Sequence, residues 1–147
     1  MGLPVQYDGK KGAICIGKIP DGQIMSDVIK PYYKTTEIDI DPTMTMAGKT
    51  YYKGFRINYS YLEPTYSFNL EGNYNEITGI IGLDDEKNYT DAVVEFYGDG
   101  QLLAAYTLKA GSLPQKLDVN VKGVVKLDIK VKGDSSDVNL ADLIIIK

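Results

Sequence analysis

Apolar and polar residues alternate along most of this chain, and this pattern constrains its fold more than any other feature. After Gln115, apolar side chains occupy every second position, at Leu117, Val119 and Val121. Because successive side chains of a strand point to opposite faces of a sheet, this spacing indicates a strand with one buried face. Similar short runs recur between turn residues, which predicts an all-β chain folded as a jelly-roll-type antiparallel β-sandwich.

Nine strands are predicted from this pattern. Their expected bounds are Ala13–Gly17, Tyr51–Asn58, Thr65–Glu71, Glu76–Leu83, Ala92–Tyr97, Leu102–Leu108, Gln115–Val121, Val124–Val131 and Val138–Ile146. In the hairpin that turns at Asp99-Gly100, Val94 and Phe96 are expected to face the core. Glu95 and Tyr97 hold the alternate positions and are expected on the opposite face. This hairpin is therefore interpreted as scaffold.

A second antiparallel pair is predicted around Gly123. Alternation resumes after this glycine, which places four apolar side chains on an inner face: Val125, Leu127, Ile129 and Val131. The strands before and after Gly123 are expected to pair as neighbours, with their lysines in solvent. One helical turn is expected around Ser26–Ile29, and it is expected to be short because Pro31 ends it. The segment Lys34–Lys49 is interpreted as a long loop or an edge strand.

Charge and missing residue types exclude several functions. A net charge of −4, without a cluster of lysine and arginine, argues against a nucleic-acid partner. No apolar run approaches the roughly 18 residues of a membrane span, so membrane insertion is not expected. The chain has no histidine, which excludes Ser-His and Cys-His nucleophiles and histidine–metal sites. Cys15, the single cysteine, is interpreted as a small buried hydrophobe.

From Gly48 onward, several motifs occur in the order and spacing of a known family. They are GKTYYKG, YSFNLEGNYNEITGIIGLDDE, AVVEFYGDGQLL, LPQKLDVNVKGVVKLDIKV and VNLADLIII. The chain therefore resembles the NPCBM family of carbohydrate-binding modules. The resemblance implies a jelly-roll sandwich attached to bacterial glycoside hydrolases or surface proteins. It also implies a sugar ligand, because members of the NPCBM family bind galactose-type sugars. We therefore expect one domain over residues 1–147, with an N-terminal strand and irregular segment over 1–47 and an NPCBM-like region over 48–147.

Two departures from the family pattern involve residues on which a sugar site would rely. The family usually carries Gly-x-His after its Lys/Arg-Gly, where this chain has Phe55-Arg56-Ile57. It usually ends in a run similar to Asp-His-Ala-Asp-Trp-Ala, where this chain has Val138–Leu143. Because the framework is retained and these groups are altered, the resemblance supports the fold more strongly than the sugar preference.

Tyrosine is the best supplied binding residue, with twelve copies in the chain. A sugar packs its C–H face on an aromatic ring while neighbouring polar groups bond its hydroxyls. The predicted ligand-binding residues are Tyr52, Arg56, Asn58, Tyr59 and Tyr61, and the run KPYYK adds Tyr32 and Tyr33. Tyrosine is also a strong strand former, so at least half of the rings are expected to be structural.

The densest acidic cluster consists of Asp84, Asp85 and Glu86. Hard cations take several carboxylate and carbonyl oxygens, so one hypothesis is a structural calcium ion at this cluster. The simpler interpretation is a turn in which Asp84 accepts backbone amides at the end of a strand. A calcium loop starting at Asp39 is rejected, because Met44 stands where such a loop requires glycine.

No pair of carboxylates is marked as a catalytic pair, so the chain is not expected to be an enzyme. The leading hypothesis is a non-catalytic module that binds carbohydrate, with no cofactor beyond the calcium ion just considered. The alternative is a structural or protein-interaction sandwich without sugar binding, such as a surface stalk, an assembly element or a phage-derived element. A long edge strand that pairs with a second copy, as in a homo-oligomer, would favour it. Since the N-terminus lacks a signal-peptide core, the chain is either part of a larger secreted or cell-surface protein, or cytoplasmic if Met1 is the native start.

Overall fold

Strands dominate the computed structural model, which describes residues 22–59, 63–133 and 136–147. Within these residues the strands are β1 (Gly22–Ile24), β2 (Tyr33–Lys34), β3 (Ile38–Ile40), β4 (Met44–Met46), β5 (Lys49–Tyr51), β6 (Gly54–Tyr59), β7 (Thr65–Asn69), β8 (Glu76–Leu83), β9 (Ala92–Gly98), β10 (Gln101–Leu108), β11 (Gln115–Asn120), β12 (Lys126–Gly133) and β13 (Ser136–Ile146). The predicted strand Ala13–Gly17, with Cys15, lies outside the described residues.

Two antiparallel sheets enclose the core. The six-stranded sheet has the order β11-β8-β13-β6-β3, with β1 also paired to β13, and the five-stranded sheet has the order β10-β9-β12-β7-β2. From β6 onward the chain alternates between the two sheets, except at the β9–β10 hairpin. This is the connectivity of a jelly-roll-type sandwich. The predicted fold class is therefore confirmed.

Alternate side chains fill the space between the sheets, as the sequence pattern predicts. The inward positions are confirmed for Val94, Phe96, Leu127 and Ile129, all of which are buried. Phe55 of β6 meets Phe68 of β7 edge to face, with 5.5 Å between ring centroids. Because β6 and β7 belong to different sheets, this contact joins the two halves of the sandwich.

The strands before and after Gly123 do not pair, which corrects the predicted hairpin. β11 pairs with β8 in one sheet, whereas β12 pairs with β7 and β9 in the other. The amide of Val124 donates to the carbonyl of Val121 at 3.0 Å, and the chain crosses between the sheets at this turn. The turn also shifts the alternation, so that Val124 is buried and Val125 is 52% exposed, against the prediction for Val125.

The strand predicted across Tyr51–Asn58 is divided, because β5 ends at Tyr51 and β6 begins at Gly54. Gly54 has a φ of +139°, and a Cβ atom at this position would lie 2.0 Å from the carbonyl oxygen of Leu140. Only glycine allows the backbone of β6 to approach β13 so closely. The break therefore depends on a tertiary contact that alternation does not reveal.

The N-terminal part of the described chain is more regular than predicted. One turn of α-helix, α1, spans Met25–Val28, close to the expected position. The segment Lys34–Lys49 contributes β3, an edge strand as one interpretation predicted, and also β4. β4 and β5 form a hairpin that packs on Ala141, on the outer face of the six-stranded sheet. Over the described ranges, no helix has the length and apolar character needed to cross a membrane.

Candidate functional site

The described tyrosines divide into core residues and surface rings. Tyr66 is fully buried, and its hydroxyl lies 2.6 Å from the hydroxyl of Thr36. Four rings are more than half exposed: Tyr32 (60%), Tyr33 (52%), Tyr52 (65%) and Tyr89 (68%). Among the described tyrosines, these four rings are the ones exposed enough for a sugar to stack on.

The predicted ligand-binding residues are spread along β6. Arg56 and Asn58 lie on the outer face of the six-stranded sheet, because the residues that alternate with them fill the core. Tyr52 precedes the start of this strand at Gly54, and about 13 Å of strand separates Gly54 from Asn58. Tyr52 and Asn58 therefore lie towards opposite ends of β6. The side chain of Tyr59 and the whole of Tyr61 lie outside the described residues.

The guanidinium group of Arg56 is engaged within the protein. It donates to Asp39 Oδ2 from Nε at 3.3 Å and from Nη2 at 3.0 Å. Nη1 donates to the carbonyl of Thr43 at 3.2 Å and lies 3.9 Å from Asp84 Oδ2. Arg56 therefore fastens β3 and the following loop to β6, which leaves few of its five donors for a ligand.

A buried polar cluster lies beside Arg56 and consists of Asp84, Asp137 and Asn139. Asn139 Nδ2 donates to Asp84 Oδ2 at 2.9 Å. Asp137 Oδ1 and Asn139 Oδ1 are buried and accept no hydrogen bond from the part of the chain that is described. Burial raises the pKa of Asp137, against the opposing charges of Lys87 and Arg56. Because all three side chains are covered, this cluster is not an open sugar site.

The acidic cluster at Asp84–Glu86 bonds to backbone amides. Asp84 accepts the amide of Glu86 at 3.1 Å and caps the 3₁₀ turn Asp85–Lys87. The carboxylate of Asp85 accepts the amides of Ala47 at 2.8 Å and Gly48 at 3.0 Å, which fastens the β4–β5 hairpin. Across the described ranges, no group of three or more His, Cys, Asp or Glu side chains is arranged to hold a metal ion. The calcium site stays a prediction.

An open groove of about 500 Å³ lies on the outer face of the five-stranded sheet. We call it the Tyr32–Tyr33 groove, and it is lined by Tyr32, Tyr33, Thr35, Thr65, Ser67, Lys126, Asp128 and Lys130. It brings two exposed rings next to hydroxyl, carboxylate and ammonium groups. The sequence marked the two tyrosines only as additional candidates, because their polar neighbours come from distant segments of the chain.

The model of the NPCBM/NEW2 domain family matches residues 22–145. This chain belongs to the NPCBM/NEW2 domain family. The match begins upstream of Gly48 and so includes β1 to β4 together with the motifs recognised in the sequence. No curated protein matches the chain.

Solved structures of CBM51 modules share this fold with the NPCBM/NEW2 chain. A structure of CBM51-2, in complex with GlcNAc, and INT domains from Clostridium perfringens ZmpB has a TM-score of 0.71 and 18% identity, and the match covers 84% of this chain and 31% of that one. CBM51 from Clostridium perfringens GH95, in complex with methyl-galactose, has a TM-score of 0.70 and 19% identity, with coverage of 84% and 99%. The tandem CBM51 modules of Sp3GH98 from Streptococcus pneumoniae have a TM-score of 0.70 and 17% identity, with coverage of 88% and 48%. This chain thus spans about a third of the ZmpB structure, and the similarity at these identities concerns the fold.

Proposed function

We propose that this chain is a non-catalytic module that binds carbohydrate. The match of the NPCBM/NEW2 family model to residues 22–145 carries the proposal. Modules with the same fold have been solved in complex with GlcNAc and with methyl-galactose, which supports a sugar ligand here. The exposed tyrosine rings beside polar groups supply the chemistry that such a ligand requires.

The carboxylates support binding rather than catalysis. A glycosidase needs two carboxyl groups that face the substrate, one of them with a raised pKa. Asp137 has a raised pKa, but both it and its neighbour Asp84 are buried. Asp128 is the one carboxylate among the residues that line the Tyr32–Tyr33 groove. Neither place combines a carboxylate pair with access for a sugar.

We place this module in a larger secreted or cell-surface bacterial protein. Similar modules stand beside an M60 catalytic domain in Clostridium perfringens ZmpB and belong to a family 98 glycoside hydrolase of Streptococcus pneumoniae. A shallow site formed by a few rings binds a single sugar weakly. Linking several modules raises the overall affinity through effective concentration. The role that fits is attachment of a parent protein to glycans.

A glycan-array screen of the purified domain, with and without EDTA, tests the proposal. We expect selective binding to a set of glycans that includes galactose- or GlcNAc-terminated chains. If EDTA lowers the binding or the unfolding temperature, the predicted calcium ion at Asp84, Asp85 and Glu86 gains support. Binding to no glycan on the array contradicts the proposed function.

The alternative, an assembly sandwich, has one observation in its favour. β10 is an eight-residue edge strand of the five-stranded sheet, and its Leu102 is exposed. An exposed edge of this kind can pair with a second copy. However, the β9–β10 register shifts between Leu102 and Ala104, and an edge irregularity of this kind discourages pairing. Light scattering of the purified domain, together with the glycan array, separates the two functions. A stable dimer that binds no sugar would support assembly.

A further inference from the structure

We propose that the Tyr32–Tyr33 groove is the sugar-binding surface, and that it accepts a neutral pyranose stacked on its tyrosine rings and hydrogen-bonded to Asp128. The inference rests on the proposed function, because it identifies the surface and the ligand class of the same activity. The Tyr32–Tyr33 groove replaces Tyr52, Arg56 and Asn58 as the source of the principal contacts. Four features of the groove carry it.

The first feature is the fixed backbone beneath the two rings. The amide of Tyr32 donates to the carbonyl of Ser67 at 2.9 Å, and Tyr33 stands opposite Ser67 in the β2–β7 pair. Two residues further along, the amide of Thr35 donates to the carbonyl of Thr65 at 3.1 Å, and Thr35 Oγ1 accepts the amide of Thr65 at 2.8 Å. The backbone that carries the two rings is therefore held on the sheet before a ligand arrives, which lowers the entropic cost of binding.

The second feature is a row of side chains across four strands. Tyr33, Ser67, Asp128 and Tyr97 stand opposite one another in register on β2, β7, β12 and β9. Directly opposite positions of a sheet bring side chains within about 5 Å of each other. Asp128 therefore stands two strand spacings, about 10 Å, from Tyr33, and a sugar packed on Tyr33 that extends over Ser67 would bring a hydroxyl towards it.

The third feature is a carboxylate held in place with acceptor capacity to spare. Ser67 Oγ donates to Asp128 Oδ1 at 2.5 Å. Lys126 Nζ lies 3.7 Å from Asp128 Oδ2, an ionic contact longer than a hydrogen bond. A carboxylate offers about four lone-pair sites, and the side chain of Asp128 is 15% exposed, so its solvent-facing sites can accept hydrogen bonds from sugar hydroxyls.

The fourth feature is the position of the charges. Lys126 and Lys130 outnumber Asp128 in the lining, but Asp128 is the charged residue in register with Ser67 and Tyr33, and this position favours a neutral sugar. Lys126 is paired with Asp128, and Lys130 Nζ lies 5.0 Å from the centroid of the Tyr97 ring. Both ammonium groups can donate to hydroxyl oxygens at the rim. An acidic sugar stacked on Tyr33 would instead bring its carboxylate towards Asp128, and like charges at this distance repel.

The test compares two pairs of exposed rings. The variant Y32A/Y33A removes the rings of the groove, and the matched control Y52A/Y89A removes two equally exposed rings that do not line it. The probes are methyl-galactose, GlcNAc and the glycans that bind wild type on the array. Affinity is measured by calorimetry, and circular dichroism and thermal unfolding establish that each variant is folded.

We expect Y32A/Y33A to weaken binding at least about tenfold, while Y52A/Y89A binds as wild type does. The conservative variant Y32F/Y33F retains the rings and is expected to bind within a few-fold of wild type. Backbone amide shifts of Ser67 and Asp128 in the titrated wild type provide a readout that needs no substitution. If Y32A/Y33A binds normally while R56A or Y52A/Y89A loses affinity, the groove is refuted and the proposed function stands. If wild type binds none of these probes, both fall.

The ligand class is tested separately on the folded protein. Asp128→Asn keeps the shape of the side chain but removes its charge, and we expect it to weaken binding of a neutral sugar about tenfold, because hydrogen bonds to a charged acceptor are the stronger ones. Affinity for a neutral sugar is also expected to be independent of salt, because charge screening acts on ionic ligands. A preference of wild type for uronic or sialic acid glycans, strengthened by D128N, would overturn the assignment of a neutral ligand.

Discussion

At the scale of single residues, Asp137 shows how burial sets the behaviour of a carboxylate. Burial raises its pKa although Lys87 Nζ lies 4.0 Å from its Oδ1 atom. A carboxyl group whose pKa is higher in the folded than in the unfolded state stabilises the fold below the unfolded pKa, near 3.8, and this contribution is lost as the pH rises through the folded pKa. The stabilisation that protonated Asp137 gives the folded wild type therefore declines towards neutral pH.

We expect the unfolding temperature of Asp137→Asn, relative to wild type, to increase as the pH rises from below 3.8 to neutral. The asparagine amide cannot ionise, so the variant does not lose stability at this position as the pH rises. Asp142→Asn is the matched control, because Asp142 also belongs to β13 and is exposed. A difference between D137N and wild type that stays constant across this pH range would contradict the argument.

Backbone geometry leaves Gly54 little freedom. We expect Gly54→Ala to lower the free energy of unfolding by about 3 kcal/mol or more, because its Cβ would clash with the backbone oxygen of Leu140. Gly48→Ala provides the control, since Gly48 has a φ of +79° and a Cβ added there would meet no atom within 4 Å. This control is expected to cost about 1–2 kcal/mol from the backbone conformation alone. Urea denaturation measures both, and equal losses would show that the contact with β13 is unimportant.

At the scale of elements, Asp41 connects the N-terminal segment to the six-stranded sheet. Ser26 Oγ, in α1, donates to Asp41 Oδ1 at 2.6 Å, and the amide of Gly54 donates to the same atom at 3.0 Å. Lys53 Nζ donates to Asp41 Oδ2 at 3.0 Å. Burial alone would raise the pKa of Asp41, but these hydrogen bonds outweigh it and hold the pKa below its usual value.

Removal of this carboxylate is expected to loosen the attachment. Asp41→Ala should lower the free energy of unfolding by about 2–3 kcal/mol, because it removes hydrogen bonds to a charged group. Asp41→Asn is the conservative variant, since asparagine tolerates the φ of +54° and still offers one acceptor oxygen. Because the pKa of Asp41 is lowered, its carboxylate stabilises the folded wild type above the unfolded pKa. This stabilisation is lost as the pH falls through the folded pKa. The loss of stability relative to wild type, in D41A and in D41N, should therefore shrink at acid pH. A loss that grows there would refute the role of the charge.

The elements also show what the sequence could predict. Strand positions such as Leu127 and Ile129 follow from alternation, because a buried face forces a period of two. Alternation does not identify the partner of a strand, since β11 and β12 satisfy the same pattern whether they pair or face each other across the core. The candidate site has the same limit: Ser67 and Asp128 are 61 residues apart and meet beside Tyr33 only through the order β12-β7-β2.

At the scale of the whole molecule, the two outer faces of the sandwich differ. The outer face of the six-stranded sheet is partly covered by the β4–β5 hairpin, which packs on Ala141 and bonds Asp85. The outer face of the five-stranded sheet carries the open Tyr32–Tyr33 groove. The family motifs identified the sandwich itself, but among the described residues the face that is covered is decided by where the segment Lys34–Lys49 packs.

The strand β7, which contributes Ser67 to that face, is anchored by the core beneath it. Ser67 contributes to the groove and Phe68, the next residue of β7, packs on Phe55 across the core. We expect Phe68→Ala to lower the free energy of unfolding by about 3–5 kcal/mol, from lost burial and the cavity left behind. Leu113→Ala is the control, because Leu113 is 74% exposed and its loss should cost no more than about 0.5 kcal/mol.

A double-mutant cycle with Phe55→Ala then isolates the contact between the sheets. The two rings meet edge to face, so we expect the F55A/F68A pair to be less destabilised than the sum of the single variants, by about 0.5–1.5 kcal/mol. Because this contact joins β6 to β7, a coupling of zero would mean that the sheets do not depend on these rings for their association. Chemical denaturation of the four proteins under one condition gives the coupling directly.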